Sequence, residues 1–223
     1  MINFEDWRKA GHIAAKAREY TRTLIVEKAK MLDVVEKVEK YILKEGGKMG
    51  FPSPQLSINS IAAHYVAFPD DKTIFNKGDV VKVDVGVHIN GCVGDNATTI
   101  EVGTNRYAKL IKSVHEARDN AAKEVKAGVK VSEIGRIIED TIKGYGFVPI
   151  KNLSGHNIIP YVVHGGLTVP NYFNKDSRTF QEGMIIAIEP FAIEAGDGLV
   201  KEGKPSSIFR LNSDKSVRDS FQR

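Results

Sequence analysis

Two aspartates, Asp84 and Asp95, bracket the stretch D-V-G-V-H-I-N-G-C-V-G-D, where apolar residues and glycines surround an Asn-Gly pair. Aspartate is depleted in strands, and burying an unpaired carboxylate is costly. Asn90-Gly91 is a strong hairpin signal, because both residues tolerate the positive φ of a tight two-residue turn. With that pair as the loop, Ile89 faces Cys92 and Asp84 faces Ala97. Residues two apart on a strand share a face, and so do directly opposed residues on paired strands. Asp84 and Asp95 thus become diagonal neighbours, roughly 7–8 Å apart at the backbone, with side chains able to converge. Converging carboxylates repel unless a proton or a cation lies between them. Either could instead be a solvent-facing turn residue, but Asp84 lies inside V-V-K-V-D-V-G-V, far from any loop. The pattern fits half of a divalent-metal site.

Further ligands must come from elsewhere in the chain. Of the six histidines, His12 and His115 fall in charge-rich helical segments. His88 shares the aspartate face but lies about 13 Å along the strand from Asp84 at ordinary rise. His64 sits among small residues in N-S-I-A-A-H-Y, and His156 follows Gly155 in N-L-S-G-H-N. His164 ends the strand-like run Y-V-V-H. A lone histidine on an apolar strand is usually a satisfied core residue; three beside paired aspartates shift that balance. Glu189 closes the strand-like M-I-I-A-I-E, and Pro190 stops the ladder behind it. Competing chemistry fails. Gly198 to Lys204 has phosphate-loop spacing, but Pro205 replaces the required hydroxyl residue and no strand leads into it. Cys92, the single cysteine, excludes an intrachain disulfide and suits small apolar packing after the turn.

The elements that must position these residues alternate in type. Phe4, Trp7, Ile13, Ala14, Ala17 and Leu24 recur at helical spacing behind Asn3, a candidate N-cap. A second helix is predicted from about Lys28 to Glu45, closed by Gly46-Gly47, after which residues 51–100 are rich in Pro, Gly and β-branched positions and end in the hairpin. The helical stripe returns from Tyr107 to Val125, and a fourth helix is predicted from Ser132, as N-cap, to Gly144. Strand-like pieces follow at 147–150, 161–164 and 184–189. Helices then strands, stated twice, predict an α+β fold with helices on one side of a curved sheet. The 223 residues read as a single domain, with halves at about 1–103 and 104–200. A formal charge of +4, spread without a basic run, does not indicate a nucleic-acid face. The charged start and the lack of a long apolar run point to a soluble, cytoplasmic protein with no membrane partner.

The order Asp84, Asp95, His156, Glu189, with A-A-H-Y before it, N-L-S-G-H within it and I-E-P-F-A after it, resembles the methionine aminopeptidases, in particular their type II, archaeal-style branch. The resemblance spans about residues 5–212. It implies the pita-bread fold, two pseudo-symmetric halves with a dinuclear site at their seam. By that likeness Asp84 chelates one ion, Asp95 bridges both, and His156 and Glu189 serve the other. His64 and His164 flank the substrate, hydrogen-bonding the scissile amide and the developing oxyanion. Glu189 also shuttles a proton, and Phe51 helps line the methionine side-chain pocket. The implied cofactors are two divalent ions (Co, Mn, Fe or Zn), and the implied substrate is the N-terminal methionine of nascent proteins. Two other readings share the fold: an X-Pro peptidase, and a non-catalytic protein that binds ribosomes, RNA or protein partners.

One departure from the family pattern bears on activity. The family's fifth ligand, a glutamate in a C-terminal strand, has no counterpart before the chain stops at R-D-S-F-Q-R. Residues 201–223 match the start of the helical subdomain that interrupts this region in the type II branch. The expectation is a chain lacking its last strands, completed by a second chain if at all. Weakened metal binding and little peptidase activity are expected of the 223 residues alone.

Overall fold

The computed structural model describes residues 4–203 together with Ile208. The Asn3 cap, Lys204, Pro205 and most of the segment read as a subdomain insertion lie outside the described residues. Helices α1 (Phe4–Leu24) and α2 (Met31–Lys44) precede strands β1 (Lys48–Met49), β2 (Gln55–Ile58), β3 (Val80–Ile89) and β4 (Cys92–Glu101). Then come α3 (Ala108–Glu124), α4 (Val131–Gly144), β5 (Val148–Pro149), β6 (Gly155–Ile158), β7 (Thr168–Val169), β8 (Ile185–Ala187) and β9 (Ala192–Ile193). The helices-then-strands order repeats as predicted.

In the first half, β3 pairs with β4 on one side and with β1 and β2 on the other, all antiparallel. Ile89 faces Cys92 and Asp84 faces Ala97, the register set by the Asn90-Gly91 turn, whose φ values are 49° and 86°. Alternation then separates two faces. Val81, Val83, Val85 and Val87 are fully buried and pack with Val38 and Ile42 of α2 and Leu56 of β2. Lys82, Asp84 and Gly86 point the other way by parity. Each fully buried valine contributes roughly 1.5–3 kcal/mol, so a one-residue slip of register would forfeit this row. Helix α1 lies directly on β4. A Cβ at Gly94 would stand 2.5 Å from the backbone of Ala10 and Gly11.

The second half is built on α4, whose Val131, Ile134, Ile138 and Ile142 form a buried stripe against Ala117, Ala121, Val169 and Phe180. Backbone pairing repeats between the halves. Lys28 donates to Phe75, Phe75 to Ala29, and Met31 to Thr73; Gly128 donates to Phe180, Phe180 to Val129, and Val131 to Arg178. This device corrects two helix starts. Helix α2 begins at Met31, after its amide is taken by Thr73. Ser132 lies inside α4 and is not its cap. The cap residue is Lys130, bridged to Thr179, and the Arg178 carbonyl satisfies the first helical amide. A backbone partner thus replaces a side-chain cap.

A second correction concerns residues 161–164. They form a tight turn rather than a strand, with Ile159 and Val162 exchanging backbone hydrogen bonds and Tyr161 at a φ of 63°. Pro160 has no N–H to give a ladder, and positive φ breaks extended geometry. The strand lies earlier, at Gly155–Ile158, paired with β7 on one side and β8 on the other.

The close approach of α1 to β4 generates opposite expectations for two neighbouring glycines. Gly94→Ala is expected to lower unfolding free energy by about 1–3 kcal/mol through overpacking. Gly11→Ala, whose Cβ meets nothing within 4 Å, is expected to raise it by up to about 1 kcal/mol through helix propensity. Urea unfolding of both variants checks this; equal effects would contradict the packing described.

Candidate metal centre

A small apolar plug joins the halves: Trp7 of α1, Cys92 and Val93 of β4, Ile158 of β6 and Ala187 of β8. Three of these residues stand two positions from a chemically interesting side chain. Val93 precedes Asp95, Ile158 follows His156, and Ala187 precedes Glu189. Packing the plug therefore draws those three side chains to one place.

Asp95, His156 and Glu189 each offer a ligand atom within 4.8 Å of the others. His156 Nε2 lies 3.0 Å from Glu189 Oε1 and 3.6 Å from Asp95 Oδ2. Its Nδ1 is turned to the Asn157 carbonyl at 3.4 Å, which leaves Nε2 as the atom facing the carboxylates. Asp84 lies just outside this group but within reach of its charges.

The electrostatics record the crowding. Burial, then the charges of Asp95 and Glu189, push the Asp84 carboxyl well above the usual carboxylate range. Asp95 is raised to about 7, chiefly by burial and then by Glu189, with His156 partly offsetting both. Burial disfavours the His156 imidazolium, but Glu189 and Asp95 outweigh it, and the pKa is raised. Asp84 Oδ1 and Glu189 Oε1 are buried without a hydrogen-bond partner. Glu189 Oε1 lies 3.0 Å from His156 Nε2, an ion pair when the ring is protonated. Orphaned buried carboxylate oxygens at one site are what a cation resolves. Carboxylates with one imidazole suit Mn, Fe, Co or Zn. The residues present fit a divalent metal.

The other sequence candidates surround this group. The His164 ring stands edge-on to that of His156, with centroids 4.3 Å apart. Burial, then the positive charge of His156, lowers the His164 pKa, so its ring is neutral at pH 7. His64 holds a φ of 65° and lines a cleft of about 1250 Å³ together with Asp84, Asp95 and Glu189. A non-glycine residue in the left-handed region is uncommon and clusters at functional sites. Phe51 covers Gly86, where a Cβ would stand 2.7 Å from its ring, and is not among the residues lining the cleft. The α3 residues Leu110, Ile111 and Val114 form the facing apolar wall.

Lys82 escaped the sequence reading. It lines the cleft, donates to the Asn59 carbonyl at 2.6 Å, and burial lowers its pKa to about 8. Parity with Asp84 was the available signal. Gln55 escaped too; it is buried directly across the strand pair from Asp84.

The pattern of Metallopeptidase family M24 matches residues 5–217. The methionine aminopeptidase of Thermococcus onnurineus is 46% identical over 211 residues, which cover 94% of this chain and 70% of that protein. That of Methanothermobacter thermautotrophicus is 37% identical over 216 residues, covering 96% and 72%. Among solved structures, the methionine aminopeptidase of Thermotoga maritima superposes with a TM-score of 0.82 at 30% identity, covering 90% of this chain and 83% of that one. The prolidase of Pyrococcus horikoshii gives 0.71 at 27% identity, covering 84% and 53%.

The raised pKa values fix the sign of a pH effect. In the metal-free protein, folded Asp95 keeps its proton between pH 4 and about 7 while the unfolded chain loses it. Stability conferred below pH 4 is thus lost as pH rises through that window, and Asp84 and His156 act in the same direction. Chelator-treated protein is expected to melt at a lower temperature at pH 7.5 than at pH 5, and the shift caused by added Mn²⁺ is expected to grow over the same range. Melting curves at both pH values check this. A metal-free melting temperature that rises with pH would contradict the crowding.

Proposed function

This chain belongs to metallopeptidase family M24, among the archaeal-type methionine aminopeptidases, and from that membership we propose how its residues carry out metal-dependent removal of N-terminal methionine. The observation that carries the reading is the meeting of Asp95, His156 and Glu189 from opposite halves, with orphaned oxygens on Glu189 and on the adjoining Asp84.

Asp84, Asp95, His156 and Glu189 would hold the divalent ions. Such ions acidify water and polarise the peptide carbonyl. Glu189 accepts the proton of the attacking water and returns it to the departing amine, its position beside the site making both transfers short. His164, neutral at working pH, donates one ring N–H to the oxyanion or the scissile amide. His64, at the cleft wall, serves the other. The α3 wall excludes water from the opposite side.

Prolidases share the fold at lower TM-scores, 0.71 and 0.68, so the decisive assay sets substrates against each other. Purified protein with Mn²⁺ or Co²⁺ is expected to release methionine from Met-Ala-Ser only slowly, with chelator and His156→Ala abolishing the release. Met-Pro and Xaa-Pro dipeptides are expected to be poor substrates. His164→Ala is expected to keep its metal and lose about 100-fold in kcat, the cost of one oxyanion donor. Preferred cleavage before proline would favour the X-Pro reading. Full metal occupancy without any cleavage would favour a non-catalytic protein.

A further inference from the structure

His164 needs a fixed place to act, yet among the described residues no hydrogen bond holds its ring. Its position is set by the backbone of the 159–167 segment and by edge contact with His156. That segment is fastened at two points. Near one end, Tyr161 N–H donates to the Gly91 carbonyl at 2.9 Å, and its ring covers Gly91 at the tip of the β3–β4 hairpin. At the other end, everything converges on Asn157.

Asn157 N–H donates to the Leu167 carbonyl at 3.0 Å, and its own carbonyl accepts from Gly165 N–H at 2.8 Å. Its side-chain Oδ1 accepts from Leu167 N–H at 2.7 Å. Gly165, the residue after His164, lies flat against the Asn157 carboxamide; a Cβ there would stand 2.6 Å from Nδ2. Since β6 and β7 pair up to His156 opposite Thr168, the Asn157 clasp is the next rung, with a side chain supplying a bond that the ladder lacks. His156 and Asn157 are consecutive on one strand and point to opposite faces. One residue faces the metal centre; its neighbour secures the loop that carries His164.

We propose that Asn157 is a positioning residue that sets His164 against His156 by closing the 159–167 loop through its side-chain carbonyl. The inference rests on the role given to His164 above. Nothing but a short acceptor fits. Leucine would keep the volume and leave the Leu167 amide unpaired, whereas aspartate would keep an acceptor at the same reach. A displaced donor costs catalysis rather than binding, because it contacts the reacting amide only as charge develops.

The test uses the 223-residue protein loaded with Zn²⁺, in four variants: Asn157→Leu, Asn157→Asp, His164→Ala, and Asn157→Leu combined with His164→Ala. Three quantities are read: bound metal, kcat and KM on Met-Ala-Ser, and the nuclear Overhauser contact between the His156 and His164 rings. Asn157→Leu is expected to keep its metal, hold KM within about twofold, lower kcat by about 10- to 100-fold and lose the ring contact. Asn157→Asp is expected to recover most of both losses. The combined variant is expected to be no slower than His164→Ala alone, since both changes remove one function. An intact ring contact in Asn157→Leu, or losses that multiply in the combined variant, would overturn the proposal. If Asn157→Leu fails to fold, Gly165→Ala, which drives a methyl group into the carboxamide, carries the same expectations. An unchanged kcat in His164→Ala would instead overturn the catalytic role of His164, and the ring contact alone would then decide whether Asn157 places it.

Discussion

Three carboxylates and an imidazole are forced into one buried space, and the rest of the structure is arranged around that crowding. Burial raises the cost of ionising Asp84 and Asp95, and the neighbouring charges, Asp95 and Glu189 for the first and Glu189 for the second, add to it. Without a counter-charge the protein must keep protons on groups that would otherwise lose them at neutral pH. A divalent cation reverses the balance, making the same oxygens favourable as anions. The crowding is therefore stored in the apoprotein and released when metal binds.

That space exists because packing elsewhere leaves no alternative. The valine row of β3 buries one face of its strand and turns Asp84 to the other. The plug of Trp7, Cys92, Val93, Ile158 and Ala187 joins strands of both halves two residues from Asp95, His156 and Glu189. Apolar burial thus does the positional work that the charged groups could not do for themselves. The repeated backbone device at Lys30–Met31 and Lys130–Val131 gives each half the same helix placement relative to its strands. Two similar halves facing each other make a seam, and the seam is where the proposed ligands meet.

How much of this was legible depended on the range of the interaction. The hairpin register followed from Asn90-Gly91, because a two-residue turn fixes every pair that follows. The same register put Asp84 and Asp95 on one face without reference to the rest of the chain. His156 and Glu189 could be suspected from local surroundings, but only resemblance to a family assigned them to the same centre. Local reading failed where a distant backbone group decided the outcome. Ser132 looked like a cap because the Arg178 carbonyl opposite Val131 was invisible. Y-V-V-H looked like a strand because β-branched residues favour one, while Pro160 and the docking of Tyr161 on Gly91 impose a turn. Lys82 went unread, although its parity with Asp84 placed it in the cleft.

The central claim is that side chains from both halves share cations at the seam, and anomalous diffraction from crystals grown with Mn²⁺ tests it most directly. The account predicts anomalous density bounded by Asp95, His156 and Glu189, with Asp84 contributing at its margin. Well-ordered crystals with no anomalous density at that position, or with manganese bound only elsewhere, would contradict it.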